Sequence, residues 1–469
     1  MRTTNMAERR EKILDGNILK TVLTLAWPVM VGNALHTAYN LADTFWLGKV
    51  SKEAVAASAT SWPILFLFIS LGMGMSTAGV SLVSQHIGGG DHKKADKAAG
   101  QVFGLIFLIS IVTAVLGFVG SEWLLSEVVG SPAKVLPLAT TYLSIISLSF
   151  PFMFGFIALR FILRGTGDML TPMYILAIGV VLNAILDPLL ILGFGPFPAL
   201  GVAGAAVATA ITRAVASFVG FYLLFANKLD IKLNFRYLIP DLSWMKKILD
   251  ISAPATIARA GSALGFVALI SLVSEFGTIA VSAYGISMKV FQLINISVWG
   301  FAGSSMTMVG QNIGAGQHER AETIVKKTLG IAALIMFGIA GIVYMGRSSI
   351  ISFFINNPSV ISEGSRLIAI FVFSVPFFGF FRIFDSTFRG TGHTKSAMVL
   401  SLTRLWLLRV GLSYLLAFGI MGVGFQMGVV GIWWGMALSN VLGAGLSYIW
   451  FSIGKWKKKT VEDSKPIKP

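Results

Sequence analysis

Long apolar runs, each closed by a short charged or Gly/Pro-rich loop, dominate the pattern of this chain. A helix that crosses a bilayer needs about 20 apolar residues. Twelve stretches qualify: 18–47, 53–87, 98–121, 134–163, 169–194, 201–227, 245–274, 279–313, 322–346, 361–388, 396–420 and 428–453. They are spans 1 to 12 below. Most exceed the minimum, so tilted or protruding helices are expected. The predicted fold class is an all-α integral membrane protein.

The pattern also repeats. An offset of 226 aligns Pro28 with Pro254, Gly74 with Gly300, and Gln85-x-Ile87-Gly88-x-Gly90 with Gln311-x-Ile313-Gly314-x-Gly316. An offset of 225 aligns Pro151-Phe152 with Pro376-Phe377 and Arg164-Gly165-Thr166-Gly167 with Arg389-Gly390-Thr391-Gly392; 227 aligns Gly201-Val202-x-Gly204 with Gly428-Val429-x-Gly431. Six spans separate equivalent positions, so both halves enter the membrane in the same direction. Such parallel repeats are related by a pseudo-two-fold axis along the membrane normal, the plan of a two-lobed transporter that alternates access by rocking. The expected units are two six-helix bundles, an N-lobe over 1–235 and a C-lobe over 236–469, divided at the polar 228–247 linker.

Composition narrows the function. The chain is 55% hydrophobic and 12% charged, against about 45–50% and about 25% in soluble proteins. No polar stretch approaches the roughly 50 residues of a small domain, which leaves no room for a soluble catalytic domain. The net charge of +16 would suggest nucleic acid in a soluble protein, but here its placement matters more, and no nucleic-acid partner is expected. One side holds the N-terminus, Lys93, Lys94, Lys97, Arg164, the 228–247 linker, Arg320, Lys326, Lys327, Arg389, Lys395 and the Lys455 to Lys468 cluster. The other holds only Lys49, Lys52, Lys134, Arg347 and Arg366. The positive-inside rule then places both termini in the cytoplasm of a cell-membrane protein. Met1 to Lys20 is charged and has no cleavage site, unlike a removable signal peptide. The absence of cysteine excludes disulfide and thiolate chemistry, and the five histidines have no metal-ligand spacing. No cofactor is expected.

These residues resemble a known family. The paired Gln-x-Ile-Gly-x-Gly ends of spans 2 and 8, the doubled Arg-Gly-Thr-Gly loops and the two six-helix halves are similar to the MATE (multidrug and toxin extrusion) family, across nearly the whole chain. Asp43 with Asn183-x-x-x-Asp187 resembles the DinF branch, whereas the NorM branch carries acidic residues in its C-lobe. The resemblance implies export of organic, often cationic compounds in exchange for protons or sodium ions.

Ionisable residues inside spans are costly and by default functional. Asp43 and Asp187 each stand six residues from the outer end of their spans, roughly 9 Å, and Tyr142 and Thr209 stand eight residues in, roughly 12 Å. Tyr39, Asp43, Tyr142, Asn183, Asp187 and Thr209 thus share one layer of the N-lobe, and the i,i+4 pairs Tyr39/Asp43 and Asn183/Asp187 each share a helix face. A carboxylate among an amide and phenols, away from Lys or Arg, is suited to exchanging a proton near neutrality. The same oxygens suit a sodium ion at Asp43 and Asp187. Both readings stay open, as does a hydrogen-bonding role alone for some of the six. The C-lobe lacks this layer: Asp43 maps to Leu269, Tyr39 to Gly265, and Asp187 to Leu412 or Ser413. The ion site is therefore expected in the N-lobe.

The C-lobe instead carries Arg259, Arg404 and Arg409 at depth, read either as snorkelling or pairing with helix-end carbonyls, or as a gate or anionic headgroup contact. Arg160 maps onto Asp385, which suggests an ion pair there, either between the lobes or within one. Pro28, Pro63, Pro151, Pro254 and Pro376 interrupt spans, and Pro28 is the candidate hinge because it shares span 1 with Asp43. Some of the 18 Met and 35 Phe suit an adaptable drug pocket. Gly165-Thr166-Gly167-Asp168 fits a pattern of intramembrane aspartyl proteases, but it falls in a loop and its repeat ends in His393, so an enzyme is not expected. The alternative function is a flippase for a lipid or lipid-linked precursor, drawing on the arginines. The expected partners are small organic substrates and the bilayer, with the chain working as a monomer.

Overall fold

Hydrocarbon offers the backbone no hydrogen bonds, so a spanning chain has to satisfy its own, which helices do. The computed structural model describes residues 2–194, 197–226, 228–419 and 425–460, with side chains from residue 6, and among these no strand occurs. Lys465 and Lys468 of the expected basic cluster, and the last residues of expected spans 6 and 11, lie outside the described residues.

Eleven helices are long and apolar enough to cross a membrane: Ile18–Val50, Lys52–Gly88, His92–Val119, Leu170–Gly193, Val202–Phe225, Leu242–Ser274, Gly277–Gly314, His318–Met345, Pro358–Gly390, Thr394–Phe418 and Val429–Ser452. Span 4 completes the twelve as a bent pair, Leu136–Leu148 and Phe150–Thr166, turned by 53°. Pro151 opens its second segment, where the missing N–H costs no bond. Its repeat partner Pro376 follows a 3-10 turn at Val372–Ser374. Pro28, Pro63 and Pro254, by contrast, lie inside uninterrupted helices. A further helix, Arg2–Leu14, precedes span 1; it is too polar to have registered as a span.

The doubled loop motif has a steric cause. Gly167 and Gly392 hold φ of 90° and 84°, a region that side chains disfavour. Two residues earlier, a Cβ on Gly165 would meet Val83 at 2.9 Å, and one on Gly390 would meet the Met306 backbone. The loops thus end spans 4 and 10 while letting them press against spans 2 and 8.

The chain divides into two units, Met1–Glu11 with Val31–Thr256, and Lys12–Met30 with Ile257–Pro469. This differs from a division at residue 235, because the boundary runs through spans 1 and 7, two residues past Pro28 and Pro254. In the first unit, Gly74 of span 2 lets Thr256 of span 7 approach, its Cα 2.8 Å from where a Cβ would be. Gln101 Nε2 donates to the carbonyls of Tyr237 (2.7 Å) and Ile239 (2.6 Å), and its Oε1 accepts from Asp241 N at 2.8 Å. Lys97 pairs with Asp241 at 2.8 Å. In the second unit, Gly300 of span 8 receives Met30 of span 1, with Cγ at 2.5 Å from a Cβ there. Asn312 Nδ2 donates to the Ile13 carbonyl at 3.3 Å, and Arg320 bonds the Gly16 carbonyl. Gly74 and Thr256 map by the 226 offset onto Gly300 and Met30. Each repeat therefore lends the entering half of its first span to the other repeat's unit.

Candidate functional site

Span 5 is an α-helix from Leu170 to Asp187 and then widens into a π-turn, Pro188–Gly193. Pro188 has no N–H for the regular ladder, so the change begins beside Asp187. Asn183 and Asp187 are fully buried one turn apart, and Asn183 Nδ2 donates to Asp187 Oδ1 at 2.8 Å. From span 1, the Asp43 carboxyl comes within hydrogen-bonding reach of Asp187 and Asn183. One turn before it, Tyr39 Oη donates to Thr209 Oγ1 at 3.0 Å and lies 3.3 Å from Thr212 Oγ1, both on span 6. Tyr142 of span 4 is buried within electrostatic reach of Asp43, Asp187 and Tyr39. The six expected residues are thus brought together in one unit. Pro28 stands apart, fifteen residues or roughly 22 Å of helix before Asp43.

The cluster is rich in acceptors and short of donors. Asp43 Oδ1, Asp187 Oδ2 and Asn183 Oδ1 are buried and accept no hydrogen bond. Two carboxyl groups in contact repel unless they hold a proton between them or share a cation. Among the described residues no group of three or more His, Asp or Glu side chains is placed to hold a metal ion. A cation here would draw on two carboxylates and the Asn183 carbonyl.

One premise needs correction. The carboxylates are not away from arginine: Arg213 of span 6, one turn after Thr209, lies within electrostatic reach of Asp43, Tyr39 and Tyr142. Its Nη1 donates to Ser149 Oγ at 3.3 Å. A basic residue inside an apolar span was the available signal, and it was missed, as was Thr212. Lys289, exposed in the course of span 8, escaped notice for the same reason.

The C-lobe positions equivalent to Tyr39, Asp43 and Asp187 hold no carboxylate or phenol. Leu269 is fully buried, a Cβ on Gly265 would strike Leu405, and Ser413 Oγ donates to the Ile432 carbonyl at 3.3 Å. Asp385 forms the ion pair within its own lobe. It is held within its own span by Arg382 at 2.7 Å and Arg389 at 2.9 Å, because i−3 and i+4 geometry brings these three to one face, with Ser401 at 3.3 Å. Arg259 lies within electrostatic reach of Asp385. Arg404 and Arg409 do not snorkel: both are 6% exposed and bond to side chains of span 12. Asp168, the protease-like aspartate, caps span 5 by accepting from Leu170 N and Thr171 N at 3.2 and 3.0 Å, and Arg9 neutralises it at 3.3 Å. That is a structural role.

A model of the MatE family matches residues 28–189 and 254–415, two segments at the same 226 offset. The probable multidrug resistance protein YpnP of Bacillus subtilis is 29% identical over 94% of this chain and 97% of its own. An FAD transporter of Shewanella oneidensis is 27% identical over 91% and 95%. A multidrug resistance MATE family transporter solved in an outward-facing conformation is 23% identical over 95% of this chain and 98% of its own, with a TM-score of 0.87, a likeness of fold.

Proposed function

The chain belongs to the MatE family of membrane transporters, and we propose that it is a secondary active efflux antiporter, exporting organic compounds, cations among them, in exchange for protons or sodium ions. The names of relatives such as YpnP support multidrug export. The observation that carries the coupling is that Asp43 and Asp187 lie within electrostatic reach of each other, while one oxygen of each and Asn183 Oδ1 are buried and accept no hydrogen bond. A proton would sit between the carboxyls; a sodium ion would use the same oxygens with Asn183. Either species cancels one of the pair's two negative charges and leaves the other to Arg213, and its departure leaves two carboxylates beside that one arginine. Tyr39, Tyr142 and Thr209 complete the layer that senses this change, which passes along span 1 to a bend at Pro28. The chain works as a monomer in the cell membrane with both termini cytoplasmic, and its Asp43 and Asn183-x-x-x-Asp187 pattern fits the DinF branch.

The test is uphill substrate movement in proteoliposomes under a proton gradient alone and a sodium gradient alone. One gradient should drive it in wild type, and neither should do so in Asp43→Asn or Asp187→Asn. Driven transport in both variants would refute the assignment. A flippase for a lipid or lipid-linked precursor is the second reading, favoured by the buried arginine pair of the C-lobe.

A further inference from the structure

Two buried guanidinium groups of span 11 share one neutral oxygen. Arg409 Nη2 donates to Asn440 Oδ1 at 2.6 Å, and Arg404 Nη1 reaches the same atom at 3.4 Å. Arg409 Nε donates to Ser439 Oγ at 3.1 Å, whereas Arg404 Nε is buried without a hydrogen-bond partner. Asn440 is held in turn, its amide donating to Ser374 Oγ at 3.0 Å. The backbone enforces the pairing. Residues five apart on an α-helix diverge by about 140°, but Thr403–Gly411 is a π-helix, whose i→i+5 bonds bring positions 404 and 409 onto one face. Span 12 makes room for it, since a Cβ on Gly443 would lie 2.6 Å from Arg404 Cγ.

The charge of this pair is not answered. Among the described residues neither arginine has an ion pair, and Asp385, within electrostatic reach of Arg404, is already held by Arg382 and Arg389. The rings of Phe378 and Phe381, 5.0 and 4.6 Å from the Arg404 guanidinium, attract it without supplying a counter-charge. Buried charges are normally paired, because leaving one unpaired costs heavily. The N-lobe shows the opposite polarity: there Asp187 stands on span 5, and Arg213 maps by the 227 offset onto Asn440.

We propose that Arg404 and Arg409 form a C-lobe binding site for an anionic group, a phosphate or carboxylate. A planar guanidinium pair suits such oxygens, and the anion supplies both the missing charge and an acceptor for Arg404 Nε. The anionic group belongs either to an amphiphile held in the bilayer or to a free ion. The site draws on none of the coupling residues and is tested by binding to the purified protein, so its failure leaves the efflux assignment untouched.

The experiment follows thermal unfolding of the full-length protein in uncharged detergent against hexyl phosphate and against inorganic phosphate. Wild type should show a saturable rise in unfolding temperature. A rise with hexyl phosphate alone assigns the anion to an amphiphile; equal rises with both assign it to a free ion. Arg404→Gln with Arg409→Gln should weaken the apparent affinity at least tenfold. Asn440→Asp places a carboxylate on the atom both guanidiniums share, and it should raise the unfolding temperature without ligand and remove the response to it. No saturable rise in wild type, an unchanged response in Asn440→Asp, or an Asn440→Asp protein less stable than wild type would overturn the proposal.

Discussion

Asn183 donates to Asp187 across one turn of span 5, at 2.8 Å. The bond fixes one carboxylate oxygen and leaves the other without a donor, so the group is oriented but not satisfied. Asp187→Asn and Asp43→Asn should each abolish gradient-driven efflux while the purified protein keeps its wild-type unfolding temperature within a few degrees. Replacing a charge by a neutral amide at that depth lowers the cost of burial. Proteoliposome flux and thermal unfolding on the same preparations check both halves of the expectation, and loss of folding would assign the pair a structural role.

Gly74 and Gly300 should tolerate no side chain. Valine at 74 would overlap Thr256, and at 300 it would meet Met30 and the Ala26 carbonyl, 3.0 Å from the Cβ position. Overpacking of this kind costs about 1–3 kcal/mol. Gly338→Ala, with nothing within 4 Å, is the control and should change stability by no more than about 1 kcal/mol. Denaturation of the three variants side by side measures the difference.

Gln101→Leu should loosen the approach to span 7. It strips a partner from the Tyr237 and Ile239 carbonyls and the Asp241 amide, groups that water can reach, so each lost bond costs about 0.5–1.5 kcal/mol. Asp241 adds a pH dependence. Lys97, first, and then Ser243 hold its carboxyl well below the usual carboxylate range. A depressed folded value gives stability that is present above the unfolded value of about 3.9 and is lost as pH falls below it. The stability gap between wild type and Asp241→Asn should therefore be constant near neutrality and shrink progressively below about pH 4. An acid titration of the two unfolding temperatures reads it.

Span 1 should bend at Pro28 in response to the ion at Asp43. Proline already lacks the amide donor, so a change of bend there breaks fewer backbone bonds than elsewhere in the helix. Each tenfold population shift needs about 1.4 kcal/mol, and one charge-assisted hydrogen bond supplies about 1.5–3 kcal/mol. Spin labels on either side of Pro28 should change separation with pH or sodium in wild type and not in Asp43→Asn. An unchanged distance distribution in wild type would leave span 1 a static helix.

The twelve spans were legible because continuous apolar runs of about 20 residues cross a bilayer only as helices, and the repeat was legible because glycines at close approaches admit no other residue. Gly165 against Val83 and Gly390 against Met306 are such positions. The six polar residues of the N-lobe could be placed in one layer by counting helical rise, but rise carries no azimuth and does not show that Arg213 and Thr212 face them. The π-turn in span 11 was not legible either. A 3.6-residue period puts Arg404 and Arg409 on different faces, and only the widened backbone unites them. The division between units escaped for a different reason. A polar linker marks where the chain leaves the membrane, not where its packing partners change.

The exchange of first-span halves has a consequence for how the protein is made. When the ribosome has finished span 6, the glycine face of span 2 still awaits Thr256, which has not been synthesised. The first bundle cannot close until the opening helix of the second half has entered the membrane, while Met30 waits for Gly300 in the same way. The two halves are therefore interlocked during assembly and do not mature as independent inserts. A gene cut within the 228–241 linker should yield fragments that are degraded singly and that assemble only when both are produced in the same cell.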